Sequence, residues 1–148
     1  MKTYEISASL LIEAPATVIY SIIADYHHGH PEILPKPPFD SLEVIEGGIG
    51  DGTVIRVGMK VLGKHQEFRS VIIEPEPGRV LVETNDNGYV TTFTVDPEGG
   101  AVQSFVTIST MLNGRTGVTG YLEYWFMNKF LYPVFVRELE LLKTASLK

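Results

Sequence analysis

The stretch that decides the fold is Gly120–Lys143, GYLEYWFMNKFLYPVFVRELELLK. Its apolar and aromatic residues recur at intervals of four and three, the spacing that places side chains along one face of an α-helix. The spacing predicts one long C-terminal helix with the inward stripe Tyr121, Trp125, Asn128, Tyr132, Phe135, Leu139 and Leu142. The N-terminal half of this stripe, with its Tyr, Trp and Asn, is typical of a cavity wall, because a dry core would favour Leu and Ile.

The residues before this helix predict a sheet and two short helices. From about Ser41 to Thr110 the chain consists of β-type segments broken by Gly, Pro and Asn turns. Apolar and polar residues alternate over Tyr4–Ile12, which indicates a half-buried first strand. Pro15 then opens a helix, and a second helical turn is predicted over Glu32–Leu34. The order predicts an α+β protein, with a curved antiparallel sheet of about seven strands wrapped around the C-terminal helix. At 148 residues, the chain is expected to form one domain over residues 1–148.

Turn signals predict the pairing of the third and fourth strands. A turn at Leu62-Gly63, or a four-residue loop around it, gives the same register. That register pairs Met59 with Gln66, Val57 with Phe68, Ile55 with Ser70 and, on a charged outer face, Arg56 with Arg69. A shift of one residue would instead bring both arginines into the interior and create an anion site.

Two further hairpins follow from Asn87-Gly88 and from the Pro97–Gly100 segment. Asn-Gly favours a type I′ turn, which would pair Thr91 with Thr84 and Phe93 with Val82. A four-residue loop at Pro97–Gly100 directs Val102, Ser104, Val106 and Ile108 inward. A three-residue loop would direct Ala101, Gln103, Phe105 and Thr107 inward instead.

The inward positions of this arrangement are aliphatic, aromatic or neutral polar. Almost no charge points inward, so the predicted cavity suits a neutral or weakly polar, largely hydrophobic ligand. No catalytic residue, metal ligand or cofactor is assigned. The expected ligand-binding residues are Met59, Gln66, Phe68, Thr84, Tyr89, Thr91, Phe93, Ser104, Tyr121, Trp125, Asn128 and Tyr132.

Composition excludes several classes of function. A net charge of −6 and a pI near 5.2, without a local basic cluster, argue against nucleic-acid binding. The absence of cysteine excludes a thiolate nucleophile and a Cys-based zinc site. No stretch reaches the roughly eighteen apolar residues of a membrane span, so no stable membrane insertion is expected. Glu5 and Glu13 interrupt the apolar N-terminal run, which is therefore a strand and not a signal peptide, and a cytoplasmic protein is expected.

The order of elements resembles the helix-grip fold of the START/Bet v 1-like (SRPBCC) superfamily, and within it the polyketide cyclase/dehydrase and lipid-transport group. The local matches cover nearly the whole chain: Ala14–Val18 and Ala24–Tyr26 around the first helix, Gly50–Gly52, Glu74–Arg79, and Glu138-Leu139 with Leu142-Lys143. The resemblance implies an internal cavity for a hydrophobic molecule such as a lipid, sterol, quinone or polyketide. Since the superfamily includes carriers and enzymes, it does not choose between them.

Two sets of side chains carry possible chemistry. His27, His28 and His30 offer imidazoles for a metal or for acid–base work at the cavity mouth. Gly29 and Pro31 deny them a regular helical face, which disfavours a metal and leaves a ligand contact or an exposed polar loop. The phenols of Tyr89, Tyr121 and Tyr132 are the other candidates, either as donors to a reacting oxygen or as packed rings.

Three functional hypotheses follow. The first is a protein that encloses a hydrophobic small molecule, as a monomer or homodimer. The second is a polyketide cyclase/dehydratase-type enzyme that uses Tyr or His groups at the same cavity. The third is a protein-docking or membrane-surface module that uses the remaining apolar residues of the long helix, namely Tyr124, Phe126, Met127, Phe130 and Leu131.

Overall fold

The computed structural model describes residues 2–148, and seven antiparallel strands form one sheet in the order β1-β7-β6-β5-β4-β3-β2. The strands are β1 (Lys2–Ile12), β2 (Phe39–Glu46), β3 (Val54–Val61), β4 (Lys64–Glu76), β5 (Val80–Asn85), β6 (Val90–Glu98) and β7 (Gln103–Gly114). The helices are α1 (Ala16–Ala24), α2 (Gly29–Ile33) and α3 (Gly117–Ser146). The predicted α+β architecture, with a curved sheet and one long C-terminal helix, is confirmed.

Helix α3 crosses the concave side of the sheet, and its C-terminal half supplies most of its buried residues. Phe135, Leu139 and Leu142 join the hydrophobic core together with residues of the sheet and of α1. This part of the predicted stripe is correct. Helix α2 begins earlier than predicted, at Gly29, and ends at Ile33, so His30 lies inside it.

The hairpin of β3 and β4 has the predicted register. Met59 pairs with Gln66 and Val57 with Phe68 across a two-residue turn. Both turn residues, Leu62 and Gly63, have positive φ, as a type I′ turn requires. The outer face pairs Arg56 with Arg69 in solvent, so the alternative in which the arginines enter the interior is wrong.

The hairpin of β5 and β6 differs from the prediction by one residue. Asn85 N–H donates to the Tyr89 carbonyl at 2.9 Å and Gly88 N–H donates to the Asn85 carbonyl at 3.0 Å, so the loop contains three residues. Gly88 has φ of +92°, which closes this three-residue turn.

The shift reverses the two faces of β5, since side chains alternate along a strand. Phe93 pairs with Leu81 and Thr91 pairs with Glu83. Glu83 therefore points inward, and the predicted site residue Thr84 is exposed. The expectation that almost no charge points inward is wrong, at Glu83 because of this register and also at Glu138 of α3, which is buried.

The hairpin of β6 and β7 directs Ser104, Val106 and Ile108 inward, as the four-residue loop predicts. The loop itself lies two residues later than predicted, because Glu98 still pairs with Gln103. Val102 consequently lies in the loop and is exposed, not inward.

Candidate functional site

A cavity of about 370 Å³ lies between the sheet and α3. Its walls are mainly apolar, with aromatic and aliphatic side chains from both sides: Ile55, Val57 and Phe93 from the sheet, and Met127, Leu131 and Phe135 from α3. The volume and the lining fall within the range of small-molecule sites in proteins.

Six of the twelve residues predicted from the sequence line this cavity. They are Met59, Gln66, Phe68, Tyr89, Thr91 and Phe93. All six come from strands β3, β4 and β6 or the turn before β6. Burial raises the pKa of the Tyr89 phenol, so this hydroxyl remains a proton donor at neutral pH.

Two other predicted residues lie in the sheet but outside the cavity. Thr84 faces solvent because of the register of β5. Ser104 is fully buried, and its hydroxyl donates to the Ala14 carbonyl at 2.8 Å, which ties β7 to the segment before α1.

The four predicted residues of α3 do not line the cavity, so the predicted inward stripe is wrong in this part of the helix. Tyr121 is 61% exposed and Trp125 is 51% exposed, with Lys129 Nζ 4.8 Å from the centroid of a Trp125 ring. Tyr132 is also exposed, and Asn128 is partly buried without reaching the cavity.

In this N-terminal half of α3, the residues that face inward belong to the set assigned above to a protein-docking or membrane-surface module. Met127, Phe130 and Leu131 line the cavity, and Tyr124 packs against the core, stacked on Tyr4 with ring centroids 5.1 Å apart. Only Phe126 of that set is exposed. The outward face proposed for a docking module is therefore largely the wall of the cavity.

One end of the cavity carries a polar cluster that the sequence did not predict. Its members are Tyr26 from the segment after α1, His30 from α2, Glu83 from β5 and Glu138 from α3. The His30 ring is 2% exposed, stacks on Tyr26 at a centroid distance of 4.3 Å and meets the edge of Phe93.

The hydrogen bonds of His30 fix its tautomer. Its Nδ1 lies 2.7 Å from the Ile23 carbonyl oxygen, which can only accept, so Nδ1 carries a proton. The other ring nitrogen, Nε2, lies 3.5 Å from Glu83 Oε2. Nε2 is therefore the ring nitrogen that faces Glu83.

Tyr26 completes the partners of Glu83. Its hydroxyl donates to Glu83 Oε2 at 2.6 Å. Burial, followed by the negative charge of Glu83 and this hydrogen bond, raises the pKa of the Tyr26 phenol well above its ordinary value. Tyr26 is thus a permanent donor that orients the Glu83 carboxylate.

Glu138 is the most buried carboxyl group of the cluster, at 4% exposure. It lines the cavity, and no side-chain hydrogen bond within residues 2–148 reaches its oxygens. Since no sealed side-chain polar atom in this part of the chain lacks a partner, these oxygens open on the cavity. Burial, and then the charge of Glu83, raises the pKa of Glu138 well above its ordinary value.

We expect Glu138→Gln to stabilise the ligand-free protein at pH 8 by more than about 1 kcal/mol, because burial and the charge of Glu83 disfavour the ionised carboxyl group whereas the amide stays neutral. Because the folded pKa exceeds the unfolded value of 4.5, wild-type stability falls as pH rises from there towards the folded pKa. Urea unfolding at pH 4.5 and pH 8 measures the difference, which should vanish at the lower pH. The exposed Glu140→Gln is the matched control, with no pH-dependent gain. An equal effect of Glu138→Gln at both pH values would contradict the raised pKa of Glu138.

The other histidines lie outside the cavity. His27 and His28 are exposed beside Asp25, and the His65 ring on the outer face lies 2.9 Å from Asp40 and 3.1 Å from Glu67. In the described part of the chain, no three His, Asp or Glu side chains converge as a metal site would require. Of the three clustered histidines, only His30 reaches the cavity.

Some of this cluster left a signal in the sequence. Glu138 stands three residues after Phe135 and four before Leu142, so it lies on the inward face of α3 by the same spacing that identified those two residues. His30 follows Tyr26 by four residues. The inward direction of Glu83 could not be predicted from the sequence, because it depends on whether the turn that follows β5 contains two or three residues.

A long helix held against a curved antiparallel sheet, with a cavity between them, defines a helix-grip protein. The chain belongs to the polyketide cyclase / dehydrase and lipid transport family, whose model matches residues 3–146. The resemblance drawn from the sequence is confirmed.

Solved structures show the same fold. The NMR structure of KanY protein is 26% identical over 100% of both chains, with a TM-score of 0.85. The Zhui aromatase/cyclase from Streptomyces sp. R1128 is 15% identical over 98% of this chain and 94% of its own, with a TM-score of 0.76. Norcoclaurine synthase from Thalictrum flavum, in complex with dopamine and hydroxybenzaldehyde, is 20% identical over 99% and 87%, with a TM-score of 0.72.

No curated protein sequence matches the chain. Among residues 2–148, no helix has the length and apolar character needed to cross a membrane.

Proposed function

We propose that residues 1–148 act as one ligand-binding domain that encloses a small, largely apolar molecule between the sheet and α3. The observation that carries this proposal is the cavity of about 370 Å³ with its aliphatic and aromatic walls. Burial of apolar ligand surface against such walls contributes about 25 cal/mol per Å². The lipid-transport and cyclase members of the family, and the aromatic molecules in the norcoclaurine synthase complex, support a ligand of this kind.

A cavity-filling variant tests the proposal. Val57 lies on β3 with its side chain in the cavity wall, so Val57→Trp should occupy the space that a ligand needs. We expect the affinity for 1-decanol, measured by isothermal titration calorimetry, to fall at least about tenfold, the equivalent of roughly 1.4 kcal/mol. Arg56→Trp, on the exposed face of the same strand, is the matched control and should bind like the wild type. Equal binding by Val57→Trp and the wild type would contradict the proposed site.

The polar end of the cavity favours a second candidate, a cyclase/dehydratase-type enzyme. His30 Nε2 and the carboxyl groups of Glu83 and Glu138 lie in one cavity, where each can give or take a proton. Such groups can remove the proton next to one ligand carbonyl, so that this carbon attacks a second carbonyl whose oxygen is protonated to a hydroxyl. Removal of a second proton from the same carbon then expels the protonated hydroxyl as water and leaves a C=C bond. Mass spectrometry of a diketone substrate incubated with protein tests this candidate. Turnover that exceeds the buffer rate and is lost in His30→Gln would support it, and turnover unchanged by His30→Gln would contradict it.

A further inference from the structure

Glu138 is a buried carboxyl group whose partner is not supplied by the protein. It sits in the middle of the C-terminal half of α3, is 96% shielded from bulk solvent and lines the cavity. Within residues 2–148 no side-chain hydrogen bond reaches its oxygens, and these open on the cavity, since no sealed side-chain polar atom there lacks a partner. A carboxyl group that opens on a largely apolar cavity and has no partner from the protein is a polar anchor for a ligand that carries a donor.

Several other polar groups at this cavity already have partners of their own. Glu83 Oε2 accepts a hydrogen bond from the Tyr26 hydroxyl at 2.6 Å and lies 3.5 Å from His30 Nε2. The other ring nitrogen of His30, Nδ1, donates to a backbone carbonyl. The hydroxyls of Thr91 and Thr110 pair with each other at 2.8 Å. Gln66 and Tyr89 also present polar groups to the cavity, but both are neutral. Among the lining residues within 2–148, Glu138 is therefore the carboxyl group that is left for a ligand to pair with.

The charges on the cavity wall favour one sign of ligand. Of the side chains that line it, the ionisable acids are Glu83 and Glu138, and the one basic group is the His30 ring. No Lys or Arg from residues 2–148 lines the cavity. A carboxylate or phosphate placed here would face two carboxyl groups without a fixed cation, whereas an ammonium group would find a carboxyl group ready to pair.

We propose that the cavity selects apolar compounds that carry an amine, whose nitrogen donates to the carboxyl group of Glu138 while the apolar part occupies the space between the sheet and α3. This inference rests on the proposed function, since it names the class of ligand that the same cavity takes. It also gives Glu138 a role that neither hydrophobic burial nor folding explains.

Three ligands with one tail and different head groups test it: decylamine, 1-decanol and decanoate at pH 7.5, titrated calorimetrically into the wild-type protein. We expect decylamine to bind at least about tenfold more tightly than 1-decanol, as a charge-assisted hydrogen bond implies, and decanoate to bind most weakly. In Glu138→Gln the amine should lose this advantage while the alcohol keeps its affinity. Glu140→Gln, on the exposed side of the same helix, should leave all three affinities unchanged.

The outcomes separate the two proposals. If 1-decanol or decanoate binds the wild type as tightly as decylamine does, the amine selectivity is wrong and the hydrophobic cavity stands. If the amine preference survives in Glu138→Gln, the assignment of Glu138 is wrong. If none of the three ligands binds, the proposed function itself fails. The comparison of head groups uses only the wild-type protein, so it does not depend on whether a variant folds.

Discussion

Leu139→Ala should lower the free energy of unfolding by about 2–5 kcal/mol, the usual cost of removing a buried leucine side chain from a packed core. Leu139 is 1% exposed and belongs to the core cluster below the cavity, where α3 packs against the sheet and α1. Urea or guanidinium unfolding followed by circular dichroism gives the value, provided the denaturant slope stays unchanged.

Trp125→Ala is the control on the same helix. Its indole is half exposed and forms a cation–π pair with the side chain of Lys129. Such a pair contributes about 0.5–1 kcal/mol at an exposed site. We therefore expect Trp125→Ala to cost less than about 1 kcal/mol and to leave the affinity for 1-decanol unchanged. A larger loss of stability or affinity in Trp125→Ala than in Leu139→Ala would mean that the core and the cavity have been assigned to the wrong face of α3.

Tyr26→Phe should lower the free energy of unfolding by about 1.5–3 kcal/mol, the range for a hydrogen bond to a charged group. The variant keeps the ring and its stacking on His30 but removes the hydroxyl that donates to Glu83 at 2.6 Å. The inward carboxylate then loses its shortest hydrogen bond in a largely apolar setting. Thermal or chemical unfolding of the ligand-free protein measures the loss.

Tyr121→Phe removes an exposed hydroxyl and is the matched control, with an expected change within about 0.5 kcal/mol. If both variants have the same small effect, the Tyr26–Glu83 hydrogen bond is not part of what holds the polar end of the cavity in place.

The sequence predicted the fold well because its local signals agree with one another. The alternation in β1 has Ile6, Ala8 and Ile12 buried as expected. The turn at Leu62-Gly63 allows loops of either two or four residues, but both give the same register, so the pairing of Val57 with Phe68 did not depend on the choice. Those two strands carry Met59, Gln66 and Phe68, three of the six predicted residues that line the cavity.

The polar end of the cavity could not be predicted because local sequence permits two solutions there. Asn87-Gly88 suits a two-residue type I′ turn and also a three-residue turn with Gly88 at positive φ. The choice decides whether Thr84 or Glu83 points inward. The three-residue turn is the one seen in the structure. With it, Glu83 points inward and contacts Tyr26 and His30, two residues that are distant in sequence.

The error on α3 has a different physical origin. A stripe that repeats every 3.5 residues drifts by about 20° per heptad on a straight α-helix, or roughly 60° over three heptads. The stripe is correct at Leu142 and Leu139, and by Trp125 and Tyr121 it has turned away from the sheet. The true inward face continues through Leu131, Met127 and Tyr124.

The most direct measurement of the central claim, that the cavity binds an apolar small molecule, is NMR of the methionine methyl groups during titration with 1-decanol. Met59 and Met127 line the cavity from opposite walls, whereas Met111 lies on the outer face of β7 and is exposed. We expect the signals of Met59 and Met127 to shift in a saturable way while that of Met111 stays in place. Saturable binding that shifts Met111 and leaves Met59 and Met127 unchanged would contradict it.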